Sequence, residues 1–108
     1  MIEIICENCG TTKVEYNGII FRSKFEARSA KWMDWARFTW QYEPEKFILN
    51  SGGYTPDFYL EELDLWVDTK GWLKKGVCEK YQEFALEHPF LMLFDKDVKL
   101  LEKEMKEW

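Results

Sequence analysis

A run of five apolar residues, Phe90–Phe94, lies between two segments of helical periodicity and restricts the folds open to this chain. Pro89 and Asp95 bound the run, as expected for a short strand that is buried on both faces. The segments on either side, 75–87 and 97–108, carry apolar residues at helical spacing. A strand between two helices favours an α/β fold.

The segment 23–38 is predicted to be the first helix of the chain. Its apolar residues recur at the spacing of an amphipathic helix. Ser23, followed three residues later by Glu26, matches a capping box at the start of that helix. Just upstream, the pair Asn17-Gly18 indicates a tight turn, either within a hairpin or in a loop that leads into the helix.

Three strands are predicted between the first helix and the second, at 40–49, 54–60 and 63–71. Pro44 interrupts the first of them, which fits a bulge or an unpaired edge position. The second and third are joined by a short acidic link, so they are expected to form a hairpin. The predicted order is α-β-β-β-α-β-α, an α/β domain with a mixed four-stranded sheet flanked by helices.

Composition bounds the classes of protein to which the chain can belong. With 108 residues, of which 46% are hydrophobic, it has enough apolar material for one core and is too short for two ordinary domains. The net charge of -5 counts against nucleic-acid binding through bulk electrostatics. A local basic strip can still contact phosphates, so the distribution of charge matters more than its sum.

The sequence has neither an export signal nor an apolar stretch of the length that a membrane span requires. A cytoplasmic location without membrane contact is therefore expected. Cys6 and Cys9 form a Cys-x-x-Cys knuckle, which is half of a zinc site. Cys78 and His88 are the other soft ligands, and their spacing does not require them to complete the site. Structural zinc at Cys6 and Cys9 is the less favoured alternative to reduced thiols.

Asp57 and the triplet Asp68-Thr69-Lys70 are the candidate residues for chemistry. Side chains alternate along a strand, so Asp68 and Lys70 share one face while Thr69 points to the other. Pairing of the second and third strands would bring Asp57 close to Asp68. An isolated Asp-x-Lys is usually a surface ion pair, but here the opposite face is apolar and Trp66 shares the charged face. Carboxylates gathered on such a face favour a bound divalent cation such as Mg²⁺.

Together these residues resemble the PD-(D/E)xK nuclease superfamily, and in particular its small phage and bacterial endonucleases. The segments that carry the resemblance are 21–28, 42–45, 54–59 and 65–71, and it extends over roughly residues 16 to 95. The resemblance implies a restriction-endonuclease-like core, with 16–108 as a single nuclease-like domain. Residues 1–15 would be an N-terminal segment that carries the cysteine knuckle. If the chain is phage-encoded, its compartment is the host cytoplasm.

The resemblance also implies roles for individual residues. Asp57 and Asp68 would ligate Mg²⁺ or Mn²⁺, with the Thr69 carbonyl as a third oxygen and Lys70 as the catalytic ammonium. Glu26 would take the acidic position of the first helix and ligate or position an ion, although capping of the helix also accounts for it. Asp68 stands where Glu is more common in the family. The implied activity is hydrolysis of DNA phosphodiester bonds by metal-activated water.

Charged and aromatic residues near these positions are the candidates for substrate contact. They are Arg22, Lys24, Arg28, Tyr54, Trp72, Lys74 and Lys75. The alternative for the basic residues is a solvated surface, and for the aromatic residues a place in the core. The rival function is a catalytically inactive nuclease-fold module that binds DNA or a protein. A homodimer or a partner protein is expected, because a nuclease this small often needs a second copy to address both strands.

Overall fold

The computed structural model describes residues 2–5, 12–70 and 78–106. Its α-helices are α1 (Lys24–Trp35), α2 (Cys78–Glu87) and α3 (Asp95–Lys106). Its strands are β1 (Ile2–Ile5), β2 (Thr12–Tyr16), β3 (Ile19–Phe21), β4 (Trp40–Tyr42), β5 (Phe47–Leu49), β6 (Gly52–Tyr54), β7 (Phe58–Leu60), β8 (Leu65–Lys70) and β9 (Phe90–Phe94).

A mixed four-stranded sheet of order β4-β7-β8-β9 forms the centre of the fold. β8 and β9 run parallel, and the other neighbours in this sheet are antiparallel. A three-stranded antiparallel sheet, β1-β2-β3, and a two-stranded sheet, β5-β6, accompany it. The predicted α/β class and the mixed four-stranded sheet are therefore confirmed.

Apolar side chains cover both faces of the central sheet because they alternate along β8. Val67 packs on one side with residues of α1 and α3, among them Ala30 and Val98. Trp66 packs on the other side in a second cluster that includes Phe84 of α2. The four-stranded sheet thus lies between a helical layer of α1 and α3 and a layer formed by α2 and the β5–β6 hairpin.

The first helix begins where the sequence predicts. Ser23 is the N-cap residue, and its hydroxyl accepts a hydrogen bond from the Glu26 N–H at 3.2 Å. The small side chains Ala27, Ser29 and Ala30 are buried and let the helix approach the sheet closely. The helix ends at Trp35, three residues before the predicted boundary, where Arg37 takes a left-handed conformation.

The strand predicted at 40–49 is wrong as a single element, because the chain leaves the central sheet after Tyr42. Glu43 has a φ of 46° and its N–H donates to the Asp57 carbonyl at 2.8 Å. Residues 44–46 have no regular secondary structure, and β5 then pairs with β6 in a separate hairpin. The left-handed residue turns the backbone out of the sheet, so Pro44 lies between two strands and not in a bulge.

The other predicted strands also differ from the structure in detail. The segment 54–60 is divided between β6 and β7, and Asp57 lies in the connection between them. A 3-10 turn, Glu61–Leu63, precedes β8, so that strand starts later than predicted. β9 is an edge strand on which Leu91 is 44% exposed, so the prediction of burial on both faces is wrong.

The N-terminal hairpin packs into the same core as the helix α1 that follows it. Asn17 and Gly18 both have positive φ and connect β2 to β3 as a hairpin, which confirms the first of the two alternatives for this turn. Val14 of β2 is fully buried in the cluster that contains α1, so the division placed between residues 15 and 16 falls within a packed strand. Cys6 and Cys9 lie outside the described residues.

No helix among the residues that the structure describes combines the length and the apolar character needed to cross a membrane. The helices are instead amphipathic and pack against the sheets. On α1, for example, Met33 is buried while Lys31 is exposed.

An ion pair fastens α1 to α3. Arg28 Nε and Nη2 donate to the two carboxylate oxygens of Glu102, and both side chains are partly buried. Arg28→Met should therefore lower the free energy of unfolding by about 1 kcal/mol, because a bidentate, partly buried pair is lost. Urea denaturation measures this change. Lys96→Met, at an exposed lysine of α3, is the control, and equal losses in the two variants would contradict the assignment.

Candidate active site

Asp57 and Asp68 lie side by side where the β7–β8 ladder ends. The register pairs Phe58 with Val67, which puts Asp57 opposite Asp68. The Asp57 N–H donates to Asp68 Oδ1 at 3.1 Å. The Thr69 N–H and hydroxyl donate to Asp57 Oδ2 at 2.9 and 3.0 Å. At this end of the strands, the carboxylate oxygens accept hydrogen bonds from the backbone N–H groups of Asp57 and Thr69. Asp57 and Asp68 are therefore close together, as the sequence predicts.

Asp68 is held in place by a tyrosine. The Tyr54 hydroxyl donates to Asp68 Oδ2 at 2.8 Å, and the two side chains are 5% and 1% exposed. With the bond from the Asp57 N–H, both oxygens of Asp68 are hydrogen-bonded within the chain. Tyr54 lines the site, but its ring packs in the cluster beneath α2. Its hydroxyl group is hydrogen-bonded to the carboxylate of Asp68.

Glu26 faces the same site from α1. Its Oε1 accepts hydrogen bonds from the Arg22 N–H at 2.8 Å and from the Tyr42 hydroxyl at 3.1 Å, and the residue is 6% exposed. In a capping box the glutamate would accept from the N–H of Ser23, whereas here it accepts from the residue before Ser23. The cap is made by the Ser23 hydroxyl alone, so the carboxylate of Glu26 is directed to the site.

Glu43 is a member of the site that the sequence analysis did not identify. Carboxylate oxygens of Glu26, Glu43 and Asp57 lie within 4.8 Å of one another. The left-handed backbone of Glu43 turns the chain towards Asp57, and Arg22 forms an ion pair with its carboxylate at 3.3 Å. Its position directly after β4, next to the strand that follows Asp57, was the signal that could have revealed it.

Burial and mutual repulsion make the aspartates hard to ionise. Burial raises the pKa of Asp57 to about 6, and the charge of Glu26 adds to the rise. Burial also raises the pKa of Asp68 to about 7, and a hydrogen bond in which the protonated Asp68 carboxyl group donates to Asp57 adds to the rise. Because these carboxyl groups share a hydrogen bond, they titrate as a coupled pair. The ionisation of the pair therefore falls close to neutral pH.

Lys70 supplies a positive charge next to these carboxylates. It shares a strand face with Asp68, as the alternation of β8 predicts. Burial acts to lower the pKa of Lys70, but the charges of Asp68 and Asp57 outweigh it and the pKa is raised. Lys70 thus remains protonated at neutral pH, as an ammonium group that supports negative charge at the site.

These residues line one open cavity of about 480 Å³. The four carboxylates and three cations of the lining are Glu26, Glu43, Asp57, Asp68, Arg22, Lys70 and Lys80. Carboxylate oxygens are the ligands that Mg²⁺ and Mn²⁺ prefer, and a divalent cation would offset the repulsion that raises the pKa of Asp57 and Asp68. The donor set in the described residues therefore fits such an ion. Thr69 also lines the cavity, and the role expected for its carbonyl stays a prediction.

The structure separates the expected substrate-binding residues into groups. Arg22 and Tyr54 line the cavity, whereas Lys24 and Arg28 do not. Arg28 is engaged with Glu102 on the far side of α1. Lys24 is exposed at the first position of that helix. The remaining candidates, Trp72, Lys74 and Lys75, lie outside the described residues.

Comparison of the chain with protein-family models, with curated proteins and with solved structures gives no match in any of the three. Neither family membership nor activity is therefore supplied by a relative. The functional argument depends on the cavity itself, on the side chains that line it and on the elements that hold them.

Proposed function

We propose that the chain is a Mg²⁺- or Mn²⁺-dependent endonuclease of the PD-(D/E)xK superfamily that hydrolyses phosphodiester bonds of DNA. The observation that carries the proposal is the convergence of Glu26, Asp57, Asp68 and Lys70 on one cavity. These residues come from a helix, a connection between strands and a strand, so their meeting is a property of the fold and not of one local segment.

The order of elements supports the same proposal. α1 carries Glu26, β7 follows Asp57, β8 carries Asp68 and Lys70, and α2 and β9 come next. A parallel partner of β8, reached through a helix, agrees with a restriction-endonuclease-like core. This arrangement is the one that the resemblance in the sequence implies.

The metal would be held by Asp57 and Asp68, and carboxylate oxygens of Glu26 and Glu43 lie within 4.8 Å of one of Asp57. When bound, it would polarise the phosphate and lower the pKa of a water molecule that attacks phosphorus. The carboxylates are arranged for this before binding, because Tyr54 holds Asp68 and Thr69 holds Asp57. Oriented ligands avoid the cost of ordering free side chains when an ion arrives.

Lys70 acts on the phosphate in this proposal. Negative charge accumulates on the phosphate oxygens while the bond to water forms and the bond to the leaving oxygen breaks. A fixed ammonium group stabilises that charge, and the partly buried surroundings of Lys70 strengthen the effect. The same group can also orient the attacking water by a hydrogen bond.

Plasmid cleavage tests the proposal. With Mg²⁺ or Mn²⁺ the protein should convert supercoiled DNA to nicked or linear forms, and a chelator should abolish the conversion. Calorimetry should detect binding of Mn²⁺ in the absence of DNA. A panel of linear, nicked, flapped and four-way substrates then identifies the preferred DNA structure. Asp57→Asn protein, purified in parallel, controls for a contaminating nuclease.

Two outcomes would overturn the proposal. Cleavage that persists in the chelator would exclude a metal-dependent reaction. Binding of DNA without cleavage of any substrate in the panel, with either metal, would favour the inactive nuclease-fold module instead.

A further inference from the structure

Lys80 lies on the rim of the proposed active site and was not identified from the sequence. It is the third residue of α2 and is half-buried. Its Nζ lies 5.3 Å from the ring centroid of Tyr54 and 5.3 Å from that of Tyr81. The two rings meet edge to face with centroids 5.5 Å apart, so the ammonium group sits at the junction of two aromatic side chains.

The two rings form a rigid support. Tyr54 and Tyr81 are 5% and 8% exposed, and both belong to the cluster beneath α2. The Tyr54 hydroxyl is fixed by Asp68. The position of Lys80 is therefore tied through one ring to a carboxylate of the active site.

Lys80 differs from the other cations of the cavity in how its charge is held. Arg22 forms an ion pair with Glu43, and the negative charges of Asp57 and Asp68 act on Lys70 and raise its pKa. The contacts of Lys80 within the described residues are with the two rings. An aromatic ring attracts an ammonium group without neutralising its charge, so Lys80 can receive an anion without first giving up a carboxylate.

We propose that Lys80 binds a DNA phosphate next to the one that is cleaved. The inference rests on the proposed function and adds to it a residue that positions the substrate backbone. A nucleic-acid strand presents a row of phosphates, so an enzyme that places one at Lys70 must accommodate its neighbours along the cavity wall. Among the described residues, Lys80 is the cation that α2 contributes to that wall, whereas Glu26 and Glu43 come from α1 and from the end of β4.

The test measures DNA affinity as a function of salt. Fluorescence anisotropy with a labelled duplex, and with Ca²⁺ replacing Mg²⁺ to reduce turnover, compares wild type with Lys80→Met, Lys80→Arg and Lys103→Met. Lys103 is an exposed lysine of α3 that does not line the cavity. Lys80→Met should raise Kd by about 5- to 10-fold and reduce the slope of log Kd against log salt by about 0.9, the value for one phosphate contact.

The conservative variant and the control sharpen the result. Lys80→Arg should keep both the affinity and the slope, and Lys103→Met should match wild type. In the cleavage reaction, Lys80→Met should raise KM and leave kcat within about twofold, since a contact to a neighbouring phosphate affects binding of substrate and transition state alike.

An unchanged salt slope in Lys80→Met, with wild-type cleavage intact, overturns this inference and leaves the proposed function standing. A loss of kcat with unchanged Kd also overturns it, because the residue would then act on the reaction and not on substrate binding. Failure of the wild type to bind or to cleave DNA overturns the proposed function, and the role of Lys80 with it.

Discussion

The Asp68→Asn variant is expected to cleave DNA at least about 100-fold more slowly than wild type in Mg²⁺. The change removes a charged ligand oxygen from the proposed metal site, and loss of even an outer partner of a ligand typically costs 10- to 100-fold. The fold should be unaffected, because the asparagine oxygen can still accept a hydrogen bond from the Asp57 N–H. The asparagine NH₂ group can donate to the oxygen of the Tyr54 hydroxyl. Initial rates of plasmid nicking measure the effect.

Asp64→Asn is the matched control for this variant. Asp64 precedes β8 by one residue, is exposed, and takes a left-handed conformation with φ of 47°, which asparagine tolerates well. The asparagine oxygen can also keep the hydrogen bond from the Tyr59 hydroxyl. Near-wild-type nicking is therefore expected from this variant. Equal rates in Asp68→Asn and Asp64→Asn would remove Asp68 from the reaction.

The elements that could be predicted from the sequence are those fixed by local signals. Ser23 and the helical spacing that follows it define α1, and the observed cap uses the predicted hydroxyl. The alternation along β8 placed Asp68 and Lys70 on one face because the period of two does not depend on tertiary contacts. Asn17 and Gly18 marked a turn for the same reason, since both tolerate positive φ.

The errors occurred where a tertiary contact decides the backbone conformation. Glutamate has no preference for positive φ, so Glu43 reads in the sequence as a strand residue before a proline. In the structure its left-handed conformation is accompanied by the hydrogen bond from its N–H to the Asp57 carbonyl. That partner lies 14 positions away along the chain, and no local pattern could have revealed it. One such residue splits the predicted strand and also brings Glu43 into the site.

The active site shows the same division between local and tertiary information. Asp57, Asp68 and Lys70 could be found because strand spacing relates them directly. Tyr54 could be found only as an aromatic residue near Asp57, and its hydrogen bond to Asp68 depends on the packing of the β5–β6 hairpin against α2. Lys80 depends on that packing as well, because the rings beneath its ammonium group belong to two separate elements.

The wild-type protein without divalent metal is expected to lose stability as pH rises from 5 to 8. The pKa of Asp57 is raised to about 6 and that of Asp68 to about 7 in the folded state, whereas in the unfolded chain both lie near 4. The folded state therefore binds more protons in this range, and its stability is greatest at low pH and falls as the pair ionises. The expected decrease in the free energy of unfolding is about 1 to 4 kcal/mol, since a tenfold difference in acid dissociation constant corresponds to about 1.4 kcal/mol.

Asp68→Asn should oppose this loss, because it leaves Asp57 with one fewer charged neighbour. At pH 8 without metal the variant should be more stable than wild type, although it is the variant expected to lose activity, and its stability should depend less on pH. Mn²⁺ should stabilise the wild type more at pH 8 than at pH 5, and should stabilise the variant less than the wild type at pH 8. Urea denaturation at both pH values, with and without Mn²⁺, measures the free energy of unfolding of each protein. If the wild type became more stable between pH 5 and 8, ionisation of Asp57 and Asp68 would not destabilise the fold as proposed. An Asp68→Asn protein that is less stable than wild type at pH 8 would contradict the proposal in the same way. A site that costs stability when empty, and recovers it with an ion, is expected of carboxylates that are arranged for binding and not for the stability of the fold.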